Sequence, residues 1–285
     1  MIELLDITYV RLGTRDLAAA AGFATEILGL EMARRDNHMV YLRSDQRDHT
    51  LCYFEGDPKD HTVGFEVATS AVLDQAAGEL ESQGFKVERG TAAGCDDRRV
   101  ADYLSFRDPT GNAIDLVVRP HHCGRRCFPS RDAGITGFSH VGLRSSDPPR
   151  DEAFWTGTLN ARVSDWIGDA ALLRIDEVHH KIALFPSAGP GVQHINHQVA
   201  TIDDVMRSAY FLDERQIRIV FGPGRHPTSS AIFLYFEGPD AMTFEYSCGV
   251  KAITDEANYR PRQFPFDSSS FCLWGSKPDI PEFRD

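Results

Sequence analysis

Residues 7–119 and 138–250 carry the same order of elements, so the chain must adopt an architecture that is built twice. Each copy opens on a short alternating strand, Ile7-Thr-Tyr-Val-Arg-Leu in the first and Phe138-Ser-His-Val-Gly-Leu in the second. A segment with helical periodicity follows, and the steps from Tyr9 to Phe23 and from His140 to Phe154 are both fourteen residues. Further on, Val67-Ala-Thr and Val199-Ala-Thr each end a strand and lead into a second helix. Thr201 is placed to cap that helix, with Asp203 and Asp204 near the positive end of its dipole. Each copy closes on an aromatic strand, a turn and a last strand, with a step of six residues from Pro109 to Asp115 and from Pro239 to Glu245.

Each copy reads as two βαβββ units, which makes an α+β chain of four units paired into two curved, partly closed sheets. The chain thus divides into an N-terminal half over 1–120, a linker over 121–134, a C-terminal half over 135–250 and a tail over 251–285. The linker is a cluster of His, Gly, Arg and Pro without periodicity. The tail, rich in Pro, Ser and aromatics, is expected to pack over a surface rather than fold alone.

The repeat also selects residues. His140, His194 and Glu245 in the second copy fall opposite Tyr9, Thr62 and Asp115 in the first. The steps are 54 and 51 residues in the second copy against 53 and 53 in the first. A single strand histidine is more often a hydrogen-bonded core residue than a ligand. Two imidazoles and a carboxylate at three matched positions are a different matter, because that set forms the facial triad of non-haem Fe(II) oxygenases and leaves the far side of the ion open. The first copy offers a set that suits no transition metal. Only the C-terminal half is therefore expected to hold an ion.

The duplicated pattern and these residues resemble the vicinal-oxygen-chelate (glyoxalase/bleomycin-resistance-like) superfamily. Within it they resemble the two-domain type I extradiol dioxygenases that cleave 2,3-dihydroxybiphenyl and related catechols. The resemblance covers about residues 3–250, and its most specific stretch runs from Gly224 to Glu245, where His226, Tyr235, Pro239 and Glu245 meet the positions of the extradiol signature. Gly238 and Ala241 depart from that signature within its turn. In Val178-His-His-Lys-Ile-Ala-Leu184 the second histidine, His180, matches the family's active-site histidine.

The resemblance implies an Fe(II) enzyme, with Mn(II) accepted by the same ligands, that inserts both atoms of O₂ into a catechol-type diol with meta ring cleavage. It implies that His180 handles a proton and the oxygen-derived anion, and that His226 and Tyr235 hydrogen-bond substrate oxygens. It also implies a homo-oligomer. The substrate pocket is expected to involve Gly142, Leu172 and Asn196. On strand alternation Asn196 shares the cavity face with His194, whereas His197 points to the helix layer as a structural residue.

Charge and composition narrow the rest. The formal net charge of −12, without a Lys/Arg cluster, argues against nucleic acid and anionic membrane surfaces as partners. No secretory leader or membrane-length apolar run is visible, and six scattered cysteines suit reduced thiols, so a cytoplasmic location is expected. His121-His-Cys-Gly-Arg-Arg-Cys127 has no standard zinc spacing and reads as linker. The tail motif Phe271-Cys-Leu-Trp-Gly275 suggests no chemistry. Two other functions compete: a glyoxalase-like enzyme, which would need a second carboxylate, and a metal-free or differently metallated binding protein of the same fold.

Overall fold

Four residues on each of two helices show the repeat most directly. Leu73, Ala76, Ala77 and Leu80 are the buried face of one helix, and Val205, Ser208, Ala209 and Leu212 that of the other. Both sets follow the i, i+3, i+4, i+7 spacing of one helical stripe. Thr69 caps the first helix through Val72 N, and Thr201 caps the second in a reciprocal box with Asp204, as its sequence anticipates.

The computed structural model describes residues 1–284; Asp285, the last residue of the expected tail, lies outside the described residues. The first half contains β1 (Asp6–Thr14), β2 (Glu31–Arg35), β3 (Met39–Arg43), β4 (Leu51–Glu55), β5 (His61–Val67), β6 (Glu88–Arg89), β7 (Asp102–Arg107) and β8 (Ala113–Val118). Its helices are α1 (Leu17–Gly22), α2 (Ser70–Ser82) and α3 (Ala92–Arg98). The second half contains β9 (Ile135–Ser145), β10 (Arg162–Ile167), β11 (Ala170–Arg174), β12 (Ile182–Pro186), β13 (Val192–Val199), β14 (Ile219–Arg225), β15 (Ile232–Glu237) and β16 (Thr243–Cys248), with α4 (Pro148–Gly157) and α5 (Ile202–Glu214). The tail adds β17 (Arg262–Phe264) and α6 (Ser268–Phe271).

The strands form two mixed sheets, one per half. Their orders are β2-β3-β4-β1-β5-β8-β7-β6 and β14-β15-β16-β13-β9-β12-β11-β10-β17. In each, the first strands of the two βαβββ units lie antiparallel at the centre. The hydrogen-bonded order is open in both sheets, so neither closes into a barrel. In the second sheet, tail side chains rather than strand pairing fill the opening. β17 lengthens the β10 edge, and the segment beyond it packs Phe271, Ile280 and Phe283 against Phe221 and Tyr235. The tail is thus partly a sheet strand and partly a plug, more than the surface covering its composition suggests.

Strand alternation divides the apolar residues between two layers. On β11, Ala171 and Leu173 join the main core, while Ala170 and Leu172 join the cluster on the opposite face. The main core runs through both halves, with Phe65 against Trp155 and Phe85 against Phe154. The fully buried Phe65 contributes about 1.5–3 kcal/mol relative to exposure. Polar ties reinforce the junction: Tyr246 Oη donates to Leu28 O at 2.8 Å, and Lys181 Nζ reaches Asp6 Oδ1 at 2.8 Å. The linker lies on the first half, with Cys123 N donating to Gln46 O at 2.7 Å.

Candidate metal centre

Four adjacent strands of the second sheet set Tyr235, Glu245, Asn196 and His140 side by side in one row. Residues directly opposite each other on a ladder project to the same face. His194, two residues from Asn196 on β13, belongs to the next row, between Gly142 and Thr243. The missing side chain at Gly142 makes room for it, since a Cβ there would stand 2.5 Å from His194 Nδ1 and 2.8 Å from Gln193 Oε1.

The three ligand-type side chains converge. His140 Nε2 lies 3.0 Å from His194 Nε2, and Glu245 Oε2 lies 3.1 Å from the first and 3.4 Å from the second. All three residues are buried, and Glu245 Oε2 has no hydrogen-bond partner. Ligand bonds of about 2.1 Å at right angles space neighbouring ligand atoms about 3.0 Å apart, and tetrahedral ones about 3.4 Å. The three separations therefore fit a single divalent ion held from one side. Among the described residues no other group of His, Cys, Asp or Glu is close enough to do so.

Protonation states agree with that fit. Burial pushes the His194 imidazole down to about 3, so it is neutral at physiological pH. Its Nδ1–H donates to Gln193 Oε1, which leaves Nε2 with a free lone pair. Burial opposes the charge on Glu245, but contacts with His140 and His226 outweigh it and hold the carboxyl well below its usual range. Neutral imidazoles and an ionised carboxylate are the forms a metal requires.

Three further residues face this cluster. The His180 ring centroid lies 4.2 Å from that of His140, and burial together with the neighbouring imidazoles keeps His180 neutral. His226 Nδ1–H donates to Phe271 O at 2.8 Å, and its Nε2 lies 3.3 Å from Tyr235 Oη and 3.7 Å from Glu245 Oε1. Burial and the nearby Glu245 carboxylate raise the Tyr235 phenol well above its usual value, which keeps it a donor.

His180, His194, His226 and Tyr235 line a cavity with Ile167, Leu172, Ala183, Phe185, Phe271 and Phe283. Of the three expected pocket residues, Leu172 lines it, whereas Gly142 and Asn196 do not. Gly142 accommodates the His194 ring. Asn196 lies in the floor of the row, its amide donating to Ser247 Oγ at 2.8 Å. His197 is fully buried beside Phe138 on the core side.

Phe271 and Phe283 belong to the tail; the first opens a motif without evident chemistry, and no motif flags the second. Their one visible signal is an aromatic content too high for an exposed segment. The Phe271-Cys-Leu-Trp-Gly275 motif does take part, since its first carbonyl orients His226 and its first ring lines the cavity.

The first half repeats the row with different chemistry. Ser105, Asp115, Gly64 and Tyr9 stand where Tyr235, Glu245, Asn196 and His140 stand in the second. Three donors take the Asp115 carboxylate: Tyr9 Oη at 2.8 Å, Arg98 Nε at 2.6 Å and Ser105 Oγ at 2.5 Å. A guanidinium there supplies the positive charge that an ion would supply in the other half. The signature turn is also explained. Asp240 and Ala241 both have positive φ, 53° and 60°, the region where glycine is least strained and alanine is merely tolerated.

Known proteins match over nearly the whole length. Residues 6–116 and 137–246 match the Glyoxalase/Bleomycin resistance protein/Dioxygenase superfamily. An iron-dependent extradiol dioxygenase of Rhodococcus jostii (strain RHA1) is 26% identical, covering 96% of this chain and 97% of its own. A biphenyl-2,3-diol 1,2-dioxygenase of Sphingomonas paucimobilis is 24% identical over 92% and 94%. Among solved structures, BphC, a halotolerant catechol dioxygenase, superposes with a TM-score of 0.89 at 22% identity over 99% and 98% of the two chains. The Mn(II)-bound glyoxalase from Novosphingobium aromaticivorans does so with 0.88 at 24% identity over 100% and 95%.

Proposed function

The chain belongs to the Glyoxalase/Bleomycin resistance protein/Dioxygenase superfamily, and on that premise we propose that it is an extradiol dioxygenase cleaving a catechol-type diol with O₂. One observation carries the reading: two imidazoles and one carboxylate converge from a single sheet, with the remaining side turned to a cavity bearing two more histidines and a tyrosine. The relatives named above as extradiol and biphenyl-2,3-diol dioxygenases align over more than nine-tenths of the chain, which supports the same reaction. Likeness to a glyoxalase structure speaks only to the fold. A glyoxalase-type site would need a second carboxylate, and Asp115, the matching group of the other half, is already held by three donors.

His140, His194 and Glu245 would hold the ion, Fe(II) in preference and Mn(II) as an alternative with the same ligands. Held there, the ion would supply Lewis acidity toward the diol and a path for electrons toward dioxygen. The chain's own residues do the rest. Tyr235 and His226 orient the diol through hydrogen bonds. His180 takes a diol proton and later steadies negative charge on the oxygen side. Phe185, Phe271 and Phe283 exclude water from the reacting ring. The six cysteines are all free thiols, which fits the cytoplasm as the working compartment, and self-association is expected of the assembled enzyme.

The test is anaerobic loading with Fe(II), addition of a panel of monocyclic and bicyclic catechols, and admission of air. A yellow ring-fission product from at least one diol is the expected result. Tight metal binding with no ring fission, together with isomerisation of an α-ketoaldehyde thiohemiacetal, would overturn the reading in favour of the glyoxalase class.

A further inference from the structure

His180 is joined to a buried carboxylate through a second histidine. His179 Nε2 lies 3.0 Å from Asp165 Oδ2, and His179 Nδ1 lies 3.1 Å from His180 Nδ1. Asp165 and His179 are both wholly buried. Among the described residues no other hydrogen bond involves the His180 ring, which lines the cavity. The fold makes His179 a link between β10, which carries Asp165, and the connection before β12, which carries His180.

The proton positions along this line follow from donors and acceptors. Asp165 is ionised: burial opposes its charge, but hydrogen bonds from His179 and Arg262 outweigh that and hold its carboxyl below the usual range. Arg262, from β17 in the tail, gives Asp165 Oδ1 its backbone N–H at 2.8 Å and its Nε–H at 3.1 Å, and gives Oδ2 its Nη2–H at 2.6 Å. An ionised carboxylate only accepts, so His179 must carry its proton on Nε2 and present a lone pair at Nδ1. The His180 nitrogen facing that lone pair must then be the donor. Its proton sits on Nδ1, and Nε2 is left with the lone pair.

We infer that Asp165 and His179 are positioning residues that lock His180 in its Nδ1–H tautomer, so that Nε2 meets a diol hydroxyl as an acceptor. This rests on the ring-cleavage reading only for what the acceptor then does. The hydroxyl O–H bond breaks, an Nε2–H bond forms, the diol becomes a monoanion and His180 an imidazolium. The Asp165 carboxylate, one imidazole away, stabilises that cation. With the opposite tautomer, Nε2–H would face the hydroxyl and could take no proton from it. The tail takes part because Arg262 occupies the carboxylate edge that His179 leaves free.

The experiment is side-chain ¹⁵N–¹H correlation on the full-length chain loaded with diamagnetic Zn(II), with His180 resonances assigned by their loss in His180→Gln. In the unmodified chain His180 should show a protonated Nδ1 and an unprotonated Nε2, and His179 the reverse. In Asp165→Asn, the two Arg262 donors on Oδ1, its backbone N–H and Nε–H, favour the amide oxygen at that place, which puts the NH₂ at the Oδ2 place facing His179. Both histidines should then exchange their proton positions. Turnover of the Fe(II) form should fall by up to about 10²- to 10³-fold, no more than loss of the His180 imidazole itself, with little change in anaerobic catechol affinity. A His180 proton on Nε2 in the unmodified chain, or a tautomer unmoved by Asp165→Asn, overturns the inference. Should the variant not fold, the unmodified chain alone decides it. Correct tautomers in a protein that cleaves no diol would count against ring cleavage and leave the relay standing.

Discussion

Replacing Gly142 by alanine tests the site without touching a ligand. The new Cβ would stand 2.5 Å from His194 Nδ1, and ordinary contact begins near 3.4 Å, so the ring must recede by 3.4 − 2.5 = 0.9 Å. Retreat toward Gln193 is blocked, because the same Cβ meets Gln193 Oε1 at 2.8 Å. Metal–ligand distances tolerate only about 0.2 Å, so His194 would no longer complete the set. Disturbing the group that orients a ligand histidine costs about 10- to 100-fold in metal affinity, and displacing the ligand itself should cost at least that. At 1.4 kcal/mol per decade this is about 1.4–2.8 kcal/mol. Overpacking should separately lower stability by about 1–3 kcal/mol. Competition with a chromophoric chelator measures the first quantity and urea unfolding of the metal-free chain the second. Gly189→Ala, where an added methyl meets nothing within 4 Å, is the control. Unchanged metal affinity in Gly142→Ala would refute the claim that the glycine gap seats His194.

Other outcomes follow from the same geometry. Glu245→Ala should abolish metal retention in a folded protein, whereas Asp115→Ala, in the matching row of the first half, should leave metal content at one ion per chain; elemental analysis decides both. His180→Gln should lower kcat by about 10²- to 10³-fold while anaerobic catechol binding persists, as expected of a group needed mainly in the transition state; normal turnover in stopped flow would remove His180 from the mechanism. The cavity's free space is only about 20 Å³, room for about one water, so Phe271 and Phe283 must shift to admit a ring. Phe283→Ala should then raise kcat/KM for a bicyclic diol relative to a monocyclic one, and an unchanged ratio would place selectivity elsewhere. Burial holds His197 down to about 3 in the fold against about 6.5 unfolded, so the unfolded chain binds its proton more strongly. The stability this contributes is complete above about pH 6.5 and falls as pH drops from there toward 3. His197→Leu should flatten that part of the urea-midpoint profile, and an unaltered acid limb would contradict it.

Much of this was legible in the chain because a repeat checks itself. Tyr9 and His140, Thr62 and His194, and Asp115 and Glu245 were matched by spacing, and the sheets set them in corresponding rows. Spacing works here because strand registers are pinned by apolar alternation, and a slip of one residue would turn every side chain to the other face. The helix cap at Thr201 was similarly local, since a cap needs only its next three residues.

Contacts between segments distant in sequence were not legible. Asn196 and His194 share a strand face by alternation, yet the former's amide turns down to Ser247 while the latter reaches the ligand cluster, a difference made by neighbours on β9 and β16. Gly142 looked like a pocket position and proves to be a space for a ring from another strand. The tail shows the contrast most clearly: Phe283 and Arg262 have no motif, Phe271 opens one without evident chemistry, and all three gain their meaning only when chain closure brings them against Tyr235, Asp165 and His226. The twofold plan, the strand faces and the ligand types could be read along the chain, because these depend on periodicity and side-chain chemistry. Tertiary structure decided which nitrogen carries a proton, which ring walls the cavity and which glycine leaves a gap, because each depends on atoms that come within about 4 Å only after folding.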